Sequence, residues 1–261
     1  MNFRTLTAIP FLTIAIAIAV LIVGFNVRVA SAQDRPAPTS QIGSQNTDPN
    51  NAYGMVMTPA EIRAALADQK ESELKHHIAG IFIILAGIFI LASSLMPQHP
   101  LLRFVWPGCF LLCGLFLLGF SDNELWPFGP MNWWTDLLHD RQALQHKVFA
   151  AILLAIGYFE LQRARGIAKA AWSKWIFPVL ATCGSILLLF HEHSITMMPG
   201  MDHTSVMIHI ESEHEGFAAV GAGIGISKGL SDWSVSRGVT FERIWAILMI
   251  LLGVLLVVYS E

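Results

Sequence analysis

The chain has 261 residues, of which 54% are hydrophobic and only 13% are charged, and its mean hydropathy is positive. This composition is too apolar for a soluble domain of that length and predicts an all-α protein that crosses a lipid bilayer several times. The formal net charge of −3 leaves no basic excess, and the sequence contains no glycine-rich phosphate loop. We therefore expect neither nucleic acid nor a nucleotide among its partners.

Residues 1–32 have the features of an export signal. Arg4 precedes an apolar core at about 8–25, and residues 30–32, Ala-Ser-Ala, have the small-x-small form of a signal-peptidase site. Because this core is longer than that of most signal peptides, an uncleaved signal anchor is the alternative. Both readings place residue 33 outside the cytoplasm.

The segment 33–75 should be exported, flexible at first and then an amphipathic helix. Pro, Asn, Ser, Gln and Asp are frequent in 33–57, which predicts a flexible chain. The sequence Thr-Pro-Ala-Glu at 58–61 matches a capping box with proline at the first helical position. We expect a helix to begin there and to run towards His76 and His77.

Residues 76–261 form the predicted membrane domain. Polar breaks divide it into six apolar runs, and each can borrow a turn from its flanks to reach the roughly 20 residues that a spanning helix needs. The expected fold is a polytopic helical bundle with six transmembrane helices. The runs lie at 77–96, 102–120, 147–162, 175–190, 215–230 and 244–259.

The charges of the loops predict an orientation. Alternate connections carry lysine and arginine, whereas the remaining ones carry mainly acids. Because basic short loops stay in the cytoplasm, we expect the acidic loops to face the periplasm of a bacterial inner membrane. The basic residues are Arg103, Arg163, Arg165, Lys169, Lys174, Lys228, Arg237 and Arg243.

A ligand-rich loop at 191–214 separates two of the apolar runs. It mixes histidines with methionines and acids. Imidazole suits copper, zinc and iron, whereas thioether sulfur favours Cu(I), so the combination indicates copper. The alternative is that half-polar side chains simply gather at a membrane interface. The candidate ligands in and beside this loop are His191, His193, Met198, Met201, His203, His209 and His214.

Further histidines fall on the same predicted side of the membrane. His139 and His146 are two helical turns apart and would share one helix face, and His77 begins the first run. We add these three histidines to the candidate copper ligands. Carboxylates orient such histidines through the second ring nitrogen. The candidates for that role are Asp136, Asp140, Glu192 and Glu213.

A family resemblance rests on residues 198–203, Met-x-x-Met-x-His. This element resembles those of bacterial periplasmic copper-handling proteins, and the multi-span frame with histidines at its outer face resembles the copper-resistance D-type inner-membrane proteins. The resemblance implies a role in moving or holding copper at the periplasmic face, with Met198, Met201 and His203 as ligands. A periplasmic copper chaperone or a membrane enzyme complex would be the partner.

Two other classes of function stay open. Histidines at one depth on neighbouring helices could instead ligate haem b in a membrane redox protein, and the candidates are His77, His146, His191 and His214. The chain could also be a non-catalytic subunit of a larger membrane complex, because the spans lack an obvious nucleophile or acid-base pair. An enzyme is therefore the less favoured expectation.

The interiors of the spans contain few chemical groups. Cys109 and Cys113 share a helix face and Cys183 lies at mid-depth, which suggests either a thiol track for Cu(I) or plain packing. No charged residue is expected deep in a span, which argues against a buried carboxylate relay. The spacing of Gly221, Gly225 and Gly229 predicts close helix packing.

Overall fold

The computed structural model describes residues 58–122, 125, 128–190, 203–234 and 237–260, with only the backbone at 203–205. The predicted export signal at 1–32 and the flexible stretch at 33–57 lie outside these ranges. So does the first half of the ligand-rich loop, 191–202, which includes His191, His193, Met198 and Met201.

The described part of the chain is helical, as the composition predicts. Leu125 and Met131 form an isolated β-bridge, and no strand occurs in the described ranges. The helices are α1 (Pro59–Leu95), α2 (Leu102–Phe120), α3 (Arg141–Ala164), a 3-10 helix (Ala171–Trp175), α4 (Ile176–Leu188), α5 (His203–Trp233) and α6 (Gly238–Val257).

Helix α1 begins at the predicted capping box. The amide of Glu61 donates to Oγ1 of Thr58 at 3.3 Å, and the amide of Thr58 donates to Oε2 of Glu61 at 2.7 Å. The helix then continues without a break through His76 for 37 residues. At 1.5 Å per residue this is about 55 Å, well beyond the roughly 30 Å of a hydrocarbon core, so its first turns project beyond the bilayer.

The six α-helices form a closed ring. Each packs against its neighbours in sequence, and α6 closes the ring by packing along α1. Successive helices run in opposite directions, so the ring has two distinct ends. We call the end with His76, His146 and His214 the histidine end, and the end with Arg163 and Lys228 the basic end.

Glycines allow neighbouring helices to approach closely. A Cβ added to Gly225 would lie 2.6 Å from Oγ1 of Thr182, and one added to Gly221 would lie 2.5 Å from Oγ of Ser185. The predicted small-residue packing of α5 is therefore directed against α4. Where the ring closes, a Cβ on Gly80 would lie 2.7 Å from the carbonyl oxygen of Gly253, so α1 packs closely against α6.

An aromatic cluster fills the core near the basic end. Trp106 of α2, Phe177 of α4 and Trp245 of α6 meet edge to face, with ring centroids 5.3 to 6.5 Å apart, and Phe110 packs edge to face on Trp106 and Phe177. All four side chains are buried. We call this group the aromatic plug.

Five helices in the described ranges are long and apolar enough to cross a membrane: α1, α2, α3, α4 with its 3-10 start, and α6. The sixth predicted run, 215–230, lies in α5, which is not among them. Glu211, Glu213 and Glu215 precede its apolar part and Lys228 and Asp232 end it, while small residues fill much of the stretch between. Length and composition thus identify five candidate spans in the described ranges, and the sixth span stays a prediction.

Candidate functional site

A cavity of about 590 Å³ runs through the centre of the ring, and all six helices contribute to its walls. Its interior is apolar and ends at the aromatic plug, where Phe110 and Phe177 belong to both. Its polar lining lies at the histidine end and includes Glu71, Asp122 and Asp140. The cavity is thus polar at one end and apolar along its depth.

Three histidines from three different helices line this cavity. His76 lies on α1, His146 on α3 and His214 on α5. Tyr259, which follows α6, joins two of them, because its ring centroid lies 4.3 Å from that of His76 and 5.8 Å from that of His214. The histidine end therefore gathers imidazoles that are far apart in the sequence.

Local hydrogen bonds set the tautomers of two of these imidazoles. Nδ1 of His76 lies 2.9 Å from the carbonyl oxygen of Ser72, and Nδ1 of His214 lies 2.8 Å from that of Ile210. A carbonyl oxygen can only accept, so Nδ1 carries the hydrogen in each ring. In the neutral ring Nε2 then holds the lone pair, which is the state in which histidine binds a metal.

His146 is oriented by a carboxylate. Its Nδ1 lies 2.8 Å from Oδ1 of Asp122, a residue just beyond the end of α2. Both side chains are largely buried. Burial opposes ionisation of Asp122, but hydrogen bonds from His146, Lys147 and Ser121 outweigh it and lower the pKa of this carboxyl to about 2. Asp122 is therefore a carboxylate at neutral pH.

Lys147 completes this polar group at the histidine end. Its Nζ lies 2.9 Å from Oδ2 of Asp122, and it donates to Oγ of Ser121 and to the carbonyl oxygens of Leu117 and Leu118. These carbonyls belong to the last turn of α2, where that of Leu117 also accepts from the amide of Ser121 at 3.3 Å and the later ones lie beyond the intrahelical pattern. One buried ammonium thus caps α2 and neutralises the carboxylate that holds His146.

The sequence did not identify Asp122 as the partner of His146. Asp136 and Asp140 were expected in that role, but Oδ2 of Asp136 accepts from the amide of Asn132, and Asp140 caps α3 by accepting from the amide of Ala143. The Ser-Asp pair that ends α2 was the available signal. Asp122 lies 24 residues before His146, so no local sequence pattern pairs the two side chains.

The other described candidates lie around the cavity rather than in its wall. Nε2 of His77 lies 3.1 Å from the carbonyl oxygen of Tyr259. His139 is exposed, with Nδ1 2.6 Å from the carbonyl oxygen of Thr135. His209 is also exposed, and its Nε2 lies 3.8 Å from a carboxylate oxygen of Glu213. His203 begins α5, and its side chain lies outside the description.

The described side chains do not by themselves complete a metal centre. Within the ranges given above, no group of three or more His, Cys, Asp or Glu lies close enough together to hold a metal ion. His76, His146 and His214 share a cavity wall rather than a common coordination point. A metal held there needs further ligands or a small movement of these rings.

The three cysteines are buried and unpaired by disulfides. Cys113 lines the cavity, whereas Cys109 and Cys183 pack within the ring away from it. The Sγ of Cys113 lies 4.0 Å from the carbonyl oxygen of Ala79. One thiol therefore reaches the cavity, and a continuous track of three does not form.

Charged groups are buried at both ends of the ring, while its middle is apolar. At the basic end Nζ of Lys228 lies 2.6 Å from Oδ2 of Asp232, and Nη1 of Arg163 bridges Asp232 at 3.0 Å and Glu160 at 2.6 Å. Lys228 also faces the aromatic plug, 5.5 Å from the ring centroid of Trp245. This network of ion pairs links α3 to α5 at the basic end of the ring.

Comparisons of the chain with protein-family models, with curated protein sequences and with solved structures find no match. The class of protein therefore follows from its own fold and site. In its described ranges the chain is all-helical, with five helices able to cross a membrane and a central cavity whose polar end is rich in histidine.

Proposed function

We propose that this protein holds or transfers copper at the periplasmic face of a bacterial inner membrane. The observation that carries the proposal is the arrival of His76, His146 and His214 at one cavity mouth from three helices. Hydrogen bonds through Nδ1 favour Nε2 as the ligand nitrogen in each. Imidazole nitrogen alone would also suit zinc or iron.

The ligand-rich loop supplies the reason for choosing copper. Met198 and Met201 offer thioether sulfur, which favours Cu(I) and offers little to zinc. The loop is attached at Phe190, whose carbonyl oxygen accepts a hydrogen bond of 2.7 Å from Gln145, the residue before His146. At up to about 3.5 Å per residue, a chain that starts there can bring His191 and His193 to the cavity mouth.

The proposal includes six spans and an exported N-terminus. Helices α4 and α6 both run from the basic end to the histidine end, so α5, which connects them, has to return across the same thickness. Lysine and arginine gather at the basic end, so we place that end in the cytoplasm and the histidine end in the periplasm. The signal at 1–32 agrees with this orientation.

The proposed mechanism of holding copper uses the side chains at the mouth. Asp122 keeps His146 in one tautomer and orientation, which leaves Nε2 as the ligand nitrogen, and Lys147 balances the carboxylate charge. Weak thioether ligands would let copper pass to a periplasmic chaperone or to a membrane enzyme complex. The proposed role is therefore the binding or transfer of copper.

Elemental analysis of the detergent-purified protein tests this proposal. We expect stoichiometric copper, lost when His191, His193, His203 and His214 are all replaced by alanine. Because His99 lies in the turn between α1 and α2 at the basic end, His99→Ala is the matched control and should keep its copper. Full copper occupancy in the fourfold variant would contradict the proposal.

Haem b is the second candidate, because His146 and His214, two of its four predicted ligands, line one cavity. The absorption spectrum of the same preparation separates the two candidates. A Soret band without copper would establish haem instead. Stoichiometric partner proteins, with no metal and no Soret band, would favour a structural subunit.

A further inference from the structure

We propose that the deep part of the cavity binds one single-chain lipid whose headgroup donates hydrogen bonds and carries no negative charge. The chain would extend from the histidine end towards the aromatic plug, and the headgroup would lie at the polar mouth. This proposal is independent of copper, because it depends on the walls of the cavity and not on its histidines.

The shape of the cavity is that of a narrow channel. Its lining extends from Asp68 to Ile83 on α1 and from Gln142 to Ile156 on α3. These stretches cover about 22 and 21 Å at 1.5 Å per residue. A volume of 590 Å³ over that length gives a mean cross-section of about 28 Å². Such a channel accommodates one alkyl or isoprenoid chain.

The interior chemistry matches an apolar chain. The wall near the plug is made of large apolar side chains, and each helix contributes at least one. They are almost fully buried, and an empty apolar cavity of this size would forfeit the contacts that normally stabilise a core. The residues are Ile83, Phe110, Ile156, Phe177, Ile224 and Met249.

The charges at the mouth select the headgroup. Four carboxyl groups line it, from Asp68, Glu71, Asp122 and Asp140. Lys75 pairs with Glu71 and Lys147 neutralises Asp122, each at 2.9 Å, so Asp68 and Asp140 leave the mouth with a net negative charge. A lipid carboxylate or phosphate would meet like charges there, whereas a hydroxyl group finds acceptors. A neutral polyhydroxyl headgroup therefore fits this mouth.

Gly184 offers a way to fill the cavity without disturbing the ring. It lines the cavity, and a Cβ added there would meet only Ile152 and Phe149, both at 3.8 Å, an ordinary contact distance. Leucine at 184 should therefore occupy the space of the lipid chain. Gly108 does not line the cavity and has nothing within 4 Å of its added Cβ, so Gly108→Leu is the matched control.

The experiment measures binding of radiolabelled 1-monolauroylglycerol to the full chain in nanodiscs, which avoids competition from detergent. We expect saturable binding by the wild type and by Gly108→Leu, and at least tenfold weaker binding by Gly184→Leu. If Gly184→Leu does not fold, Ala181→Phe replaces it as a second substitution in the cavity wall, and we expect the same loss of binding.

The headgroup is tested with lauric acid, which has the same chain and a carboxylate. We expect lauric acid to compete at least tenfold less well than the monoglyceride at pH 7. Equal competition by lauric acid would overturn the headgroup assignment. No saturable binding, or equal binding by Gly184→Leu and the wild type, would overturn the proposal as a whole, as would a Soret band from haem in the purified protein.

Discussion

His146 and Asp122 meet across two helices, with Nδ1 of the imidazole 2.8 Å from Oδ1 of the carboxylate. Asp122 lies just beyond the end of α2, and His146 lies in the second turn of α3. This contact fixes the orientation of the imidazole that α3 directs to the cavity. It also gives the histidine end a charge arrangement that can be tested by pH and by substitution.

The stability conferred by Asp122 should depend on pH in the metal-free protein. Its folded pKa of about 2 lies below the ordinary value of 3.8. The carboxylate therefore stabilises the fold above about pH 4, and this contribution, about 2 to 3 kcal/mol, is lost as the pH falls towards 2. We expect the difference in unfolding temperature between wild type and Asp122→Asn to be constant above pH 5 and to shrink below pH 4. The exposed Asp68→Asn is the control, and a difference that is independent of pH would contradict the assignment.

Replacing Lys147 by methionine should destabilise the histidine end. The change leaves the carboxylate of Asp122 buried without its ammonium partner, which typically costs about 3 to 5 kcal/mol. The double variant Lys147→Met with Asp122→Asn should recover part of that loss, because it removes both charges. Thermal unfolding of the four proteins gives the coupling energy directly. Strictly additive losses would show that the two side chains do not interact.

Copper affinity should fall when the support of His146 is removed. Second-shell carboxylates typically contribute about 10- to 100-fold to metal affinity. We expect Asp122→Asn to weaken copper binding by a factor in that range, measured by competition with a chromophoric chelator. Asp140→Asn is the matched control, because Asp140 caps α3 and does not contact a histidine in the described structure. Equal affinities in both variants would show that His146 is not a ligand of the proposed copper site.

The contact between α1 and α6 should not tolerate a methyl group. A Cβ on Gly253 would lie 2.7 Å from the carbonyl oxygen of Gly80, so alanine there has to push the helices apart. Overpacking of this kind costs about 1 to 3 kcal/mol. We expect a lower unfolding temperature for Gly253→Ala and little change for Gly108→Ala, which has open space around it. Equal stabilities would mean that the two helices are less tightly packed than described.

Local signals in the sequence predicted much of the fold. The capping box at 58–61 marked the start of α1, the apolar runs marked the helices, and Gly221 and Gly225 marked a close packing face. The described histidines other than His99 lie at one end of the ring, as their positions relative to the runs indicated. The sixth span stays a prediction, because the small residues of α5, with Glu215 and Lys228 near the ends of the run, make that helix less apolar than the other five.

The cavity and its polar contacts were not predictable in the same way. They depend on which helices are neighbours, and no local pattern states that α6 closes against α1. The contact of His146 with Asp122 joins two helix ends, and the cavity exists because six different walls leave space between them. His139 had suitable spacing and His209 belonged to the ligand-rich loop, but both side chains are exposed and neither lines the cavity.

X-ray absorption at the copper K-edge of the purified, copper-loaded protein tests the central claim most directly. The account predicts a first shell of imidazole nitrogen with the multiple-scattering pattern of histidine, together with sulfur scattering that disappears in the variant with Met198 and Met201 replaced by leucine. A shell of oxygen ligands alone, or a histidine signal unchanged after His76, His146 and His214 are replaced, would contradict it.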